Sequence, residues 1–337
     1  MVSAPAALAG VTVLDLATFL AAPVCATLLG EFGADVIKVE QPGIGDRWHL
    51  GWDDLWRVRA SLVMVRISAY GQTGPRRDRP GFGRIAAAAG GLAYLSGYPD
   101  RPPVSPGTPT VPDYLAGVFG AVGALVALRH AERTGRGQVV DLGLYEPVLR
   151  ILDDAIPVYG GTGAVRERIG SGTESAVPHD HYRTRDGRFI AIACTNDRMF
   201  ERLLRAMARE DLLGDPRMAT TRARLEHRAV VDDLVAAWCG ARDAAAALAV
   251  LGAAEVPASP VMSVRDLFED AQVRARENIL RLAGLAMPGV IPRLDATPGR
   301  VEHPGPAVAG QDNEEIYGGR LGIGKDELAR LRERGVI

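Results

Sequence analysis

Along the first seventy residues the apolar positions fall into two rhythms: short unbroken runs and a longer run at helical spacing. VTVLDL (residues 11–16) is apolar until Asp15, and ADVIKVE (34–40) and LVMVRISAY (62–70) repeat the pattern. Runs of this kind read as strands covered on both faces. Between the first two lies the turn ATFLA. Pro23 then stands where a helix begins, and VCATLLGEFG runs to a stop at Gly33. Strand, helix and strand joined by so tight a crossover predict a βαβ unit with parallel strands. Such sheets bind ligands at the carboxyl ends of their strands, against helix N-termini, which marks the turn Thr18 to Ala22. GQTGP (71–75) makes the exit turn of the third strand.

The longest apolar pattern is TVPDYLAGVFGAVGALVALRH, residues 110–130. Leu115, Val118, Phe119, Val122, Leu125, Val126 and Leu128 predict an almost wholly buried helix. Pro112 stands before Asp113, and no other charge appears until Arg129. By position alone Asp113 reads as the N-cap, its carboxylate facing the free N–H groups and positive dipole end of the helix. Upstream, the Ala and Gly run at 86–91 allows close approach of backbone to backbone or to a ligand. The proline-rich loop PDRPPVSPGTPTVP then delivers the chain to Asp113. Downstream, YRTRDGRFIAIA predicts a hairpin near 182–194. DRMFERLLRAMA and LVAAWCG read as helices, and KDELARLRERG as a solvated closing helix with i, i+4 charge pairs.

Composition narrows the classes. With 337 residues the chain can bury a large core and make two domains. A net charge of −2 supplies no bulk field to recruit nucleic acid or an anionic membrane. The three cysteines, Cys25, Cys194 and Cys239, are odd in number and far apart, which fits a reducing compartment and a cytoplasmic location. No signal-peptide pattern opens the sequence, and the uncharged run 114–128 is too short to span a bilayer.

Several motifs resolve into bland readings. G-x-G-x-x-G is absent, and GIGD (43–46) reads as a surface turn. GRLGIGKD (319–326) fits G-x-x-x-x-G-K but ends in Asp326, so the hydroxyl a phosphate loop needs is missing. His179 and His181 could chelate weakly from one face of an extended segment, yet no third ligand stands at a standard spacing; no metal site is expected. Cys194 reads as a core thiol. Asp153 and Asp154 are expected on the helix after LGLYEPVLRIL, facing solvent or a partner copy, while Glu146 lies nearer the presumed active face.

Taken together, the longer motifs resemble the class III CoA-transferases. This family includes formyl-CoA:oxalate and carnitine CoA-transferases, with the α-methylacyl-CoA racemases as a branch. LAGVTVLDLATFLAAPVCATLLGEFGADVIKVEQPGIGD is similar to its opening signature. LVMVRISAYGQTGP and PDYLAGVFGAVGALVALRHAERTGRGQVVDLGLYE follow in the family's order. YRTRDGRFIAIACT and VPASPVMSVRDLFEDAQVRARE extend the likeness over nearly the whole chain.

The resemblance implies that Asp113 is a catalytic nucleophile, and that Phe19, Leu20 and Ala21, with Gln41 after the second strand, line the coenzyme A site. It implies an α/β fold: a Rossmann-like large domain with a parallel sheet, plus a smaller inserted α+β domain. Residues 1–168 would begin the large CoA-binding domain, 169–268 would form the small domain, and 269–337 would return to the large one. An interlocked homodimer is the expected assembly. One departure stands out. Between GIGD and LVMVRIS the family has a helix, a strand and further CoA contacts, whereas here only RWHLGWDDLWRVRAS intervenes. The leading expectation is transfer of CoA from a short acyl-CoA such as succinyl-CoA to a carboxylic acid, through a covalent aspartyl intermediate and without a metal. Arg77, Arg79 and Arg84 are candidate carboxylate clamps. An acyl-CoA racemase or isomerase is the alternative. It would need a second acid/base, and no His lies between His49 and His130; Phe82, Gly83 and Ala88 occupy the corresponding slots. A shortened, non-catalytic family member is the third reading.

Overall fold

The computed structural model describes residues 5–39, 50–105, 107, 110–306, 308 and 310–337. The chain folds into two compact units. The first takes Met1–Asp78, Asp113–Gly143 and Ala271–Ile337, and the second takes Arg79–Pro112 and Leu144–Asp270.

The first unit opens with the predicted βαβ. Strand β1 (Thr12–Asp15), helix α1 (Ala21–Glu31) and strand β2 (Asp35–Lys38) follow in order, and the strands pair in parallel from Thr12 opposite Asp35 to Asp15 opposite Lys38. Gly33 ends the helix at φ +98, where a Cβ would lie 2.3 Å from the Cβ of Ala6, so only glycine fits. Helix α2 (Trp52–Val58) leads to β3 (Met64–Ser68), which pairs in parallel with β4 (Val139–Gly143). Helix α5 (Val111–Thr134) runs between them in sequence. Cys25 and Leu29 of α1 pack with Ala121 and Ala124 of α5, and Val13 and Val65 lie against this core. Helix α13 (Ala271–Ala275), the antiparallel pair β8 (Ile279–Leu282) and β9 (Leu285–Pro288), and helix α14 (Lys325–Glu333) complete the unit.

Among the described residues β1–β2 and β3–β4 remain separate two-stranded sheets. This corrects the expectation of strands covered on both faces, because Leu14 in the middle of β1 is 63% exposed. A strand pair this narrow has one face against α1 and leaves alternate residues on the other.

In the second unit α3 (Gly83–Ala89), α4 (Leu92–Leu95), α6 (Tyr145–Arg150) and α7 (Ala155–Thr162) precede a three-stranded antiparallel sheet. Its strands are β5 (His179–Arg183), β6 (Phe189–Ala193) and β7 (Ala258–Pro260), with β6 central. The predicted hairpin is therefore present. Helices α8 (Asp197–Ala206), α9 (Thr221–Glu226), α10 (Arg228–Gly240) and α11 (Ala244–Ala253) accompany the sheet, and α12 (Val264–Glu269) follows it. Ile190, Ile192, Leu203, Val231, Val235 and Leu251 form a closed core. Most of the Ala/Gly run lies in α3, and it gives the close approach expected of it. A Cβ on Gly90 would stand 2.6 Å from Val148 of α6, so the small residues serve helix packing. Asp153 and Asp154 are not within a helix. Asp153 takes φ 55 in the break between α6 and α7, and Asp154 pairs with Arg166 at 2.6 Å.

Candidate active site

Asp113 is 4% exposed and lies in the first turn of α5, two residues inside a helix that begins at Val111. That corrects the N-cap reading. Pro112 needs no N–H partner so near the helix start, which lets the helix begin upstream of the carboxylate. Negative charge at this end of a 24-residue helix is favoured by the first-turn N–H groups and the dipole.

The faces of α5 explain what Asp113 meets. Beyond Pro112 and Asp113 its buried residues are small: Ala116, Gly117, Gly120, Ala121, Ala124, Ala127 and Ala131. A Cβ on Gly117 would come within 2.5 Å of Val24 and 2.9 Å of the carbonyl oxygen of Ala21, both in α1. A Cβ on Gly120 would meet Ile67 of β3 at 3.1 Å, and one on Gly123 would meet Val140 of β4 at 2.6 Å. From Gly120 to Gly123 the helix thus passes from the end of β3 toward the start of β4. It therefore runs against the strands, and Asp113, seven residues upstream of Gly120, lies about 10 Å further toward their carboxyl ends. Asp113 also shares a face with Gly117, one turn on, and so looks toward the start of α1. The carboxylate stands at the ligand-binding edge of the first unit, beside the turn that precedes α1.

Two side-chain carboxylates hold the exit turns on that edge. Asp15, at the end of β1, is 7% exposed and accepts the N–H of Ala17 at 3.0 Å. Its other oxygen is 3.0 Å from Nζ of Lys38, the last residue of β2. Asp141 of β4 accepts the N–H of Gln72 through both oxygens, at 2.9 and 3.1 Å, and so fixes the turn that leaves β3. Gly71 at φ +81 makes this approach possible, and the Gln72 amide donates back to Ser68 at 3.1 Å. Sequence reasoning did not single out Lys38, Asp141 or Gln72, which hold these turns. A charged residue within an otherwise apolar strand was the available signal for Lys38 and Asp141; Gln72, in a turn, offered none.

Of the predicted CoA-lining residues, Phe19 is 71% exposed on this turn, Leu20 is half-buried at the start of α1, and Ala21 is buried with its carbonyl against Gly117. Gln41 lies outside the described residues. The helix is otherwise the reverse of the expected one. Val118 is 46% exposed, Val122 53%, Leu125 43% and Val126 64%, while the alanines and glycines are hidden. Close backbone approach to α1, β3 and β4 selects the small face, which turns the large side chains outward. By length and composition α5 could cross a bilayer, which the run 114–128 alone did not indicate; its small face packs instead on α1 and the strands.

The candidate clamps are all exposed: Arg77, 3.3 Å from Asp78, in the first unit, and Arg79 and Arg84 in the second. Glu146 is exposed on α6 of the second unit. Among the described residues no group of three or more His, Cys, Asp or Glu side chains is placed to hold a metal ion. Cys25 is buried against α5, and desolvation, reinforced by the Asp15 charge, pushes its thiol up to about 11. Burial pushes the Cys194 thiol up to about 12. Both are packing groups rather than nucleophiles at neutral pH.

The sequence model of CoA-transferase family III matches residues 8–48 and 41–313. The chain belongs to that family. Its relatives include the succinyl-CoA–L-malate CoA-transferase beta subunit of Chloroflexus aurantiacus, 39% identical with 98% of each chain covered. The succinyl-CoA–D-citramalate CoA-transferase of the same organism is 38% identical, over 99% of this chain and 98% of its own. Relatives this similar over nearly the whole length make the chain an enzyme. A CaiB/BaiF family protein from Brucella suis superposes with a TM-score of 0.82 at 25% identity, over 95% of this chain and all of that one. The mixed α/β fold with parallel strands is the fold of that group.

The same comparisons locate the shortening. The alignment to the malate enzyme's beta subunit spans 397 positions against 337 residues here, a surplus of 60. That relative therefore carries at least this many residues without a counterpart. The two matched pieces of the family overlap at 41–48, so the seam falls between β2 and α2.

Proposed function

We propose that the chain transfers CoA from a short acyl-CoA, succinyl-CoA first among them, to a carboxylic acid through a covalent intermediate on Asp113. The observation that carries this is the buried Asp113 at the carboxyl edge of the parallel strands, facing the turn before α1. The relatives that act on malate and citramalate support four- and five-carbon hydroxy-dicarboxylates as acceptors.

A carboxylate suits the chemistry. Asp113 attacks the thioester carbonyl and expels CoA thiolate, leaving an acyl–aspartyl anhydride. The thiolate attacks the aspartyl carbonyl of that anhydride, releasing the donor acid and forming an aspartyl-CoA thioester. The acceptor carboxylate attacks this thioester, and the thiolate then takes the acyl group from the new anhydride and frees Asp113. Each intermediate stays activated, so the free energy of the thioester is kept as long as water is excluded. The N–H groups and positive dipole end of the first turn of α5 are candidate oxyanion donors.

In this reading residues 1–168 and 269–337 bind CoA, 169–268 form the inserted domain, and two copies interlock. The exposed apolar side of α5 supports burial against a second copy. Incubation with succinyl-CoA and a panel of acids should give new acyl-CoA esters. Mass spectrometry should find a hydroxylamine- or CoA-derived adduct on the peptide containing Asp113. An unchanged rate in Asp113→Ala would sink the nucleophile assignment. Proton exchange at the α-carbon in deuterated water without an acceptor acid would favour the isomerase instead. No CoA binding at all would make the chain a non-catalytic member.

A further inference from the structure

Of the 39 basic residues in this chain only two are lysines, Lys38 and Lys325. One of the two ends β2, at the edge where Asp113 stands. Its ammonium lies 3.0 Å from Asp15 and also donates to the carbonyl oxygen of Ala17. The other oxygen of Asp15 accepts the N–H of Ala17 at 3.0 Å. The three residues close a ring. Both backbone polar groups of Ala17, which have left the strand ladder, are satisfied by one ion pair that joins the ends of two parallel strands.

An ammonium presents its donors from a single nitrogen, whereas a guanidinium spreads them over a planar fork. Two acceptors converging on one point therefore suit lysine, in a chain that uses arginine almost everywhere else. Stability alone does not account for the pair. The Asp15 side chain is 6% exposed and that of Lys38 32%, so the ions are substantially desolvated. Apolar residues of similar volume are often as good or better for stability at such places. What the ring does hold is the backbone of Ala17, from which the chain runs through Phe19 and Leu20 into α1.

We propose that Asp15 and Lys38 are positioning residues that lock the turn 17–20 in the form that receives the CoA part of the substrate. This rests on the CoA-transfer reading above. The lock acts through the backbone of Ala17.

The test compares Asp15→Asn, Lys38→Arg and the double variant Asp15→Leu/Lys38→Met, which leaves no unpaired charge behind. CoA binding is measured by calorimetry, KM separately for succinyl-CoA and the acceptor acid, and amide exchange over residues 16–22. The double variant should melt within a few degrees of the parent. It should bind CoA at least tenfold more weakly and raise KM for succinyl-CoA by a similar factor, with KM for the acid unchanged. Asp15→Asn, which keeps an oxygen for the Ala17 N–H, should recover most of the affinity. Lys38→Arg, which keeps the charge, should recover less. CoA affinity within threefold of the parent in the double variant would overturn the proposal. If the double variant does not fold, Lys38→Arg decides alone: affinity equal to the parent overturns the lock, and a loss of threefold or more supports it. If the parent itself binds no CoA, the functional reading falls, and amide exchange decides the lock. Faster exchange at 17–20 in the variants supports it and unchanged exchange overturns it.

Discussion

At the scale of single residues, the tightest constraint is a missing side chain. Gly117 lets α5 rest on Ala21 and Val24, and this contact brings Asp113 beside the turn that precedes α1. Gly117→Val should cost about 1–3 kcal/mol through overpacking. Because the displaced turn carries Asp113, turnover should fall further than the lowered melting temperature explains, a difference that kinetics and thermal denaturation on one preparation will show. In the second unit Arg224 is wholly buried and donates to the carbonyls of Val177 and Met218 at 2.8 and 3.0 Å and to Asp197 at 2.9 Å. Replacing it with Leu orphans two buried carbonyls and should destabilise by about 3–5 kcal/mol, read from denaturant unfolding. Asp232 gives the pH-dependent case. Desolvation holds its carboxyl above the ordinary 3.8, although it accepts the Tyr182 hydroxyl at 2.6 Å. The folded protein thus binds this proton more tightly than the unfolded chain. The resulting stabilisation is present below 3.8 and lost as pH rises through the folded value. Asp232→Asn keeps the acceptor without the charge. It should raise the melting temperature near pH 7 and make no difference below 3.8; equal shifts at both would refute the account.

At the scale of elements, α5 decides most. Its sequence reads as apolar all round, and that much is correct. Which apolar residues turn inward could not be read from hydrophobicity, because Val, Leu and Phe outrank Ala and Gly on any such scale. The neighbours reverse the order: α1, β3 and β4 approach so closely that only small residues fit between the backbones. The strands β1, β2 and β3 were legible because unbroken apolar runs between turn signals have few other solutions, whereas β4, inside a longer motif, was not singled out. The Ala/Gly run 86–91 was legible as a place of close approach but not as a helix, since alanine serves both a packed helix and a ligand-lining segment. The outward side of α5 supports a second prediction. If another copy covers it, Val122→Glu together with Val126→Glu should weaken self-association at least tenfold, measured by sedimentation, with the secondary structure unchanged. A parent that is monomeric at all concentrations would remove the homodimer from the reading.

At the scale of the molecule, the seam at 41–48 is the largest departure from the relatives. Among the described residues the parallel strands form two narrow sheets, where broader parallel sheets are normally covered on both faces, and Leu14 is exposed. Inserting the corresponding segment of the malate enzyme's beta subunit at the seam should raise the melting temperature and tighten CoA binding at least tenfold. Equal affinity with and without the graft would mean that the remaining edge suffices.

Local order and family membership were already present in the residues taken alone. Strand runs, turn glycines and long motifs depend on near neighbours in the chain, and they pointed to Asp113 and to the turn Thr18 to Ala22 before any contact was known. The contacts themselves were settled by folding. Asp15, Lys38 and Ala17 form a ring only because β1 and β2 pair in parallel and in register. Gln72 meets Asp141 across 69 residues of chain. Asp113 reaches the edge of the strands because glycines far along the same helix admit α1, β3 and β4. Each of these depends on distances between segments remote in sequence, which backbone packing sets and hydrophobic rhythm does not encode.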